Sequence, residues 1–228
     1  MTQKRKNPTL SQKVKYYSHA TRNMQKAIHT KSQLAIQLSK LKIPEELKPK
    51  PEQYITPGEI AAELAWDALL DGNIKGKTVA DLGAGTGVLG IAALILGAKH
   101  VFFVENDSAM LATLKINLSQ FTEASCTILE QSINEFKEKP DTILQNPPFG
   151  TKSRHADKEF LEKVFQAATS VYTIHKSSTA EFIVNLAQKN SFALIRKRDF
   201  DFPIKHQFRF HKKPVKNIQA SLFYFRES

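Results

Sequence analysis

Val79-Ala-Asp-Leu-Gly-Ala-Gly-Thr-Gly87 runs without a break into Val88-Leu-Gly-Ile-Ala-Ala-Leu-Ile-Leu96. The first half reads as an apolar strand ending at Asp81-Leu82, then a turn in which Gly83, Gly85 and Gly87 alternate with other residues. The second half is apolar at nearly every position and reads as a helix laid on a sheet. Glycines permit the tight turn and let a ligand approach the backbone, while the helix that opens there offers free N–H groups. The next strand-like run, His100-Val-Phe-Phe-Val104, delivers Glu105 to the place where an acid can grip ribose hydroxyls. Strand, glycine turn, helix and strand in this order begin an open α/β sheet.

The pattern continues on both sides. A helix is expected from Glu59 to Leu70, with Ile60, Leu64, Trp66 and Leu69 as its apolar positions and Trp66 in the core. Strands are expected near 77–82, 100–105, 125–130 and 141–146, and helices near 87–97, 107–120 and 158–169. Val171 to Ile174 begins another strand, Thr179 to Gln188 a helix, and residues 191–200 and 217–226 the last two strands. Such alternation implies a mainly parallel sheet with helices on both faces. Residues 1–22 are polar and basic and are expected to be disordered; Ala27, Ile28, Leu34, Leu38 and Leu41 mark a short amphipathic helix within 23–43. Residues 1–50 thus form a basic extension, with Pro44, Pro49 and Pro51 as a stiff connector, ahead of a domain over 51–228. No apolar run approaches the ~18 residues a membrane span needs, and the basic N-terminus has no apolar core of a secretory signal. Cys126 is the sole cysteine, so an intramolecular disulfide or a cysteine zinc site is impossible; a buried thiol in a reducing, cytosolic setting fits.

Two cofactor classes compete for the glycine turn. Gly85-Thr-Gly-Val-Leu-Gly90 satisfies the G-x-G-x-x-G dinucleotide pattern, and Glu105 follows Gly85 at the fingerprint's spacing. Asp81, two residues before Gly83, opposes a nicotinamide reading: a carboxylate there suits a cationic, amine-bearing ligand and repels a pyrophosphate. The second motif, Asn146-Pro-Pro-Phe149, ends the strand Asp141-Thr-Ile-Leu-Gln145. Pro147 and Pro148 stop the ladder and stiffen the turn, holding the Asn146 side chain and neighbouring carbonyls in place. Two fixed acceptors can take both hydrogens of a planar NH2 group, while Phe149 stacks on the ring or amide that carries it. A hydride-transfer enzyme has no use for that arrangement; S-adenosyl-L-methionine is the better cofactor.

Asp81-Leu-Gly-Ala-Gly-Thr-Gly87 together with Asn146-Pro-Pro-Phe149 resembles the class I methyltransferases that act on exocyclic or amide nitrogens. Glu52-Gln-Tyr-Ile-Thr56, Asn146-Pro-Pro-Phe-Gly-Thr-Lys152, Val171-Tyr-Thr-Ile-His-Lys-Ser-Ser-Thr179 and Phe210-His-Lys-Lys213 narrow the likeness. They resemble the methyltransferase-like protein five family, which methylates adenine N6 in small-subunit ribosomal RNA. The likeness runs from about Lys31 to the C-terminus. It implies a seven-stranded, Rossmann-like class I methyltransferase sheet closed by an antiparallel hairpin. It also implies that Gln53 and Thr56, with Thr86 and Val88 at the turn, join Asp81, Gly83, Gly85, Gly87 and Glu105 in holding the cofactor. The family places an acid after the third strand for the adenine amine; Ser132 stands there in this chain. In some lineages the family uses a small zinc-containing activator subunit that extends the sheet edge by strand pairing. Asn-Pro-Pro-Phe does not itself choose adenine N6 over guanine N2 or a protein glutamine amide, and a non-catalytic RNA-binding subunit is a further alternative.

Charge separates these readings in part. Residues 1–50 carry +10, residues 51–188 carry −6 and residues 189–228 carry +7. An acidic core between two basic ends fits a polyanion substrate, and Lys152, Arg154, His155, His175-Lys176 and Phe210-His-Lys-Lys213 are candidate RNA contacts. His175 reads equally well as a satisfied histidine at a strand end. Residues 1–30 hold Lys4, Arg5, Lys6, Lys13, Lys15, Arg22 and Lys26 and no acid. Removing them is expected to flatten the salt dependence of RNA binding by at most about 5 log–log units, at ~0.7 per phosphate neutralised. KM for RNA should rise while kcat at saturation holds. Identical salt slopes for the full and shortened chains would show that RNA never meets this segment.

Overall fold

The computed structural model describes residues 14–17, 28–44, 54–121, 124–149, 154–204 and 216–228. Five strands form the parallel heart of one sheet: β2 (Thr78–Leu82), β3 (His100–Glu105), β4 (Cys126–Glu130), β5 (Thr142–Gln145) and β6 (Ser170–Lys176). A hairpin of β7 (Phe192–Ile204) and β8 (Lys216–Glu227) adds antiparallel strands beyond β6. The seven strands β2–β8 are the expected class I sheet. An eighth, β1 (Val14–Tyr17), pairs antiparallel with β4, giving the order β1-β4-β3-β2-β5-β6-β8-β7. Val14–Tyr17 thus corrects the expectation of disorder over 1–22, because an open edge at β4 offers ladder hydrogen bonds even to a polar segment.

Helices cover both faces, as parallel strands require. α1 (Lys31–Leu38), α2 (Gly58–Leu70), α3 (Val88–Ile95) and α4 (Ser108–Leu118) pack on one face, around Leu34, Leu64, Ile91, Phe103 and Leu114. α5 (Arg154–Ala167) and α6 (Ala180–Lys189) pack on the other, around Ile143, Val164, Phe165, Ile183 and Phe223. α1 begins at Thr30, whose hydroxyl accepts from Gln33 N–H while Gln33 reaches back, a capping box that its sequence permits. Leu34 and Leu38 then enter the same core as α2. Trp66 packs against that core, as expected, and the buried Cys126 thiol is pushed up to about 11 by desolvation. Among the described residues no helix is long and apolar enough to cross a membrane.

Two contacts bring α3 down onto the sheet. Gly87 caps the helix at φ 85°, in the left-handed region, and a Cβ there would lie 2.3 Å from Leu114 Cδ1. Gly90, one turn on, faces Phe103; a Cβ would meet Cε1 of that ring at 2.2 Å. Gly90→Ala is therefore expected to overpack the α3–β3 contact and cost about 1–3 kcal/mol. Urea unfolding should show a lower midpoint at unchanged slope; an unchanged midpoint would mean that Phe103 yields freely.

Candidate active site

The C-terminal ends of β2, β3 and β5 converge on one cavity, in the place where open α/β sheets bind ligands. Its walls include Asp81, Gly83, Gly85, Thr86, Val88 and Glu105 from the cofactor motifs. They also include Thr56, Asn146, Pro147, Pro148 and Phe149. Two motifs that lie far apart in sequence thus share one site. Gly83 and Gly85 adopt φ 70° and 55°, which explains why the turn is built from glycine. Gln53 lies outside the described residues.

Glu105 is buried, and its carboxylate is already occupied. Oε2 accepts from Gly85 N–H at 2.8 Å, and Oε1 accepts from Asn106 and Asp107 N–H, each at 2.8 Å. Three of its roughly four lone-pair positions are taken, so it can receive one further donor without releasing the turn. The same residue fixes the glycine turn and lines the cavity with an acceptor position to spare. Ser132 caps a short 3-10 turn, Ile133–Glu135, and its hydroxyl accepts from Asn134 N–H at 3.3 Å. It lines a second hollow that adjoins the first at Gly83, Glu105, Asn106 and Ile133. That position suits a residue at the adenine end of a cofactor whose ribose lies on Glu105.

Asp81 sits at the floor with 1% of its surface exposed. Its Oδ2 accepts from Gly90 N–H at 2.8 Å, so a strand residue satisfies one of the orphan donors of α3. Burial, with the nearby Glu105 charge adding to it and the Gly90 bond opposing it, pushes the carboxyl up to about 7. Both carboxylates favour a cationic ligand above them.

Asn146 carries the most specific geometry. Its Nδ2 donates to Thr56 Oγ1 at 2.8 Å, while Oδ1 is buried with no hydrogen-bond partner among the described residues. Phe149 is 5% exposed and held edge-on by Phe202 at 5.1 Å, with Tyr54 at 6.0 Å. The ring contributes to the wall but is pre-set by β7, a support that its motif does not reveal. His175 is hydrogen-bonded to Thr173 Oγ1 at 2.7 Å, and Thr173 also accepts from Gln145 Nε2 at 3.0 Å. Burial pushes the imidazole down to about 3, so it stays neutral: a satisfied histidine at the end of β6. Lys152 and Phe210-His-Lys-Lys213 lie outside the described residues, and Arg154 and His155 fall in α5.

Sequence reasoning missed Asn117. It is fully buried on α4, accepting from Lys42 N–H at 2.8 Å and donating to the Lys42 carbonyl at 3.1 Å and the Thr86 carbonyl at 2.9 Å. A polar residue between Leu114 and Leu118 on an apolar helix face was the available signal.

The site's two motifs have counterparts elsewhere. Residues 61–196 match the methyltransferase small domain. The chain is 34% identical over 191 residues to the rRNA N(6)-adenosine-methyltransferase METTL5 of Danio rerio, covering 79% of this chain and 91% of that protein. It belongs to the methyltransferase-like protein five family. The Drosophila melanogaster rRNA N(6)-adenosine-methyltransferase Mettl5 is 33% identical over 182 residues, covering 76% of this chain and 85% of the relative. A crystal structure of a candidate RNA methyltransferase from Pyrococcus horikoshii superposes with a TM-score of 0.79 at 40% identity, over 88% of this chain and 98% of that one. The S-adenosylmethionine-bound magnesium protoporphyrin IX methyltransferase of Synechocystis shares the fold at a TM-score of 0.59 and 15% identity, over 74% and 78%. This family member is an S-adenosylmethionine-dependent methyltransferase.

A cationic cofactor bound over the floor carboxyl is expected to bind in a pH-dependent way. Asp81 ionises near 3.8 when unfolded and about 7 when folded, so the cofactor-free fold holds the extra proton between those values. Stability from this group therefore falls as pH rises through that window. A cationic ligand reverses the preference by favouring the carboxylate. S-adenosylmethionine affinity is expected to rise by up to about tenfold per pH unit below about 7 and to level off above it. Asp81→Asn should flatten the profile in calorimetry; a flat wild-type profile would place the cationic end away from Asp81.

Proposed function

We propose that this protein transfers the methyl group of S-adenosylmethionine to the exocyclic N6 of an adenine in structured RNA, with small-subunit ribosomal RNA as the substrate. The observation that carries the reading is the Asn146 carboxamide, in a residue that lines the cavity: nitrogen engaged by Thr56, oxygen buried and unpartnered among the described residues. A buried acceptor without a donor is costly, and an NH2 group entering the site removes that cost. The cofactor, when bound at the glycine turn, supplies an electrophilic methyl on a sulfonium. An aromatic amine is a poor nucleophile because its lone pair is delocalised into the ring. Acceptance of its hydrogens by Asn146 Oδ1 and the Pro147 carbonyl favours a pyramidal nitrogen with a localised lone pair. That bond strengthens toward the transition state, the condition for catalysis rather than mere binding. Phe149, braced by Phe202, offers the apolar contact that replaces the stack a base leaves behind.

The substrate class is supported by the acidic core between basic ends and by the named activity of the METTL5 relatives. A protein glutamine amide or guanine N2 would meet the same acceptor. The intact glycine turn and the prepared Asn146 speak against a non-catalytic RNA-binding role. An activator subunit that adds a strand would meet β1 already seated on β4 at one edge and β7 at the other.

Nucleoside mass spectrometry of ribosomal RNA from cells with and without the gene is expected to show loss of N6-methyladenosine. Loss of N2-methylguanosine, or of methylglutamine in a protein digest, would replace the proposed acceptor. Asn146→Ala should lower turnover by about 2.7–4 kcal/mol of transition-state stabilisation, with cofactor affinity nearly unchanged. Near-normal turnover in that variant would refute the amine-gripping chemistry.

A further inference from the structure

We propose that Thr56 is a positioning residue for methyl transfer: its hydroxyl anchors the Asn146 carboxamide at the cavity, and α1 holds Thr56 in place. The proposal rests on the amine-gripping role of Asn146. The last torsion of an asparagine side chain is broad and sets no single direction by itself. Asn146 serves an amine only while its carboxamide is held in place. Thr56 Oγ1 takes Nδ2 at 2.8 Å, and Thr56 is 9% exposed, so water competes little for that bond. In the structure Nδ2 takes that bond and, among the described residues, Oδ1 has no partner. Thr56 thereby acts on the amine side of the cavity, beyond the cofactor contact its motif suggests.

Its own placement comes from the N-terminal helix. Pro57, at φ −60°, caps α2, and its carbonyl accepts from Ala61 N–H at 2.9 Å. Gly58 lies backbone to backbone against the end of α1: a Cβ on it would come 2.8 Å from Ser39 N and 3.1 Å from the Ala35 carbonyl. Lys31 of α1 is paired with Glu63 of α2, and Asn117 grips Lys42 just beyond α1. α1 is thus fixed at both ends and leaves the chain at Thr56 little room to shift. The basic N-terminal region, on this view, includes part of the catalytic architecture.

Four variants test this: Thr56→Val, Thr56→Ser, Asn146→Ala and the Thr56→Val/Asn146→Ala double. Single-turnover methyl transfer to RNA, calorimetric affinity for S-adenosylhomocysteine and melting temperature are measured on each. Thr56→Val should slow transfer at saturating cofactor roughly tenfold, the value of about one net hydrogen bond, over and above any change in cofactor affinity. Thr56→Ser should restore the rate, and the double variant should be no slower than Asn146→Ala, because both changes act through one carboxamide. A full rate in Thr56→Val beside a crippled Asn146→Ala would overturn the role of Thr56 and leave that of Asn146 standing. A near-normal Asn146→Ala would overturn both. Weakened cofactor affinity at full saturated rate, or additive losses in the double variant, would make Thr56 a cofactor contact alone or an independent contributor and overturn the proposal. Gly58→Ala, which pushes α1 outward, should reproduce the slowed transfer; a folded Gly58→Ala with a full rate would overturn the part given to α1.

Discussion

Gly90 N–H donates to the buried carboxylate of Asp81, and the rest of the site is arranged around that bond. It joins the end of β2 to the first turn of α3 and so sets how closely the helix approaches the sheet. The approach is possible because Gly90 has no side chain to strike Phe103 and Gly87 none to strike Leu114. The same closeness draws Glu105 over the turn, where three backbone N–H groups hold it. A carboxylate deprived of water is costly. Asp81 bears that cost as a raised pKa, so it resists ionisation in the folded protein until the pH approaches 7.

The sheet was legible because its strands are apolar runs separated by turn residues and helical periods. β2 through β8 fall close to where those runs lie, with boundaries displaced by a few residues at β7, where pairing with β8 extends the strand to Ile204. β1 was not legible: Val14–Tyr17 has no alternating pattern, and its pairing is dictated by the edge of β4. The site divides in the same way. Asp81, Glu105, the glycines and Asn146 were readable because their chemistry is local to a motif. The Thr56–Asn146 bond, the Phe202 brace on Phe149 and the Asn117 clamp join residues 31 to 90 positions apart, and no local pattern encodes them. Ser132 shows the converse: an unusual residue at a recognisable position, where the fold supplies a capped turn beside the cavity.

α2 is also tied to the closing hairpin. Arg196 forms a two-pronged bond with Asp71, Arg198 meets Glu63 and Asp67, and Tyr172 and Tyr224 stack at 4.3 Å beneath Asn73. The Arg196 guanidinium helps hold the Asp71 carboxyl below its usual range despite the opposing effect of burial. α2 is thus held at its N-terminus by the α1 backbone and along its length by β7, a strut between the hairpin and Thr56. Partly exposed ion pairs contribute little each, but here they are shared among five side chains on two elements, which favours one relative placement.

Asn117 has a consequence for how homologous sequences are read. Its carboxamide satisfies three backbone groups on two separate segments. Aspartate cannot donate to the carbonyls, glutamine is one methylene too long for a fully enclosed space, and leucine would strand all three groups. Intolerance of substitution at Asn117 is therefore no sign of a ligand: this residue is wholly enclosed, whereas Asn146 lines the cavity.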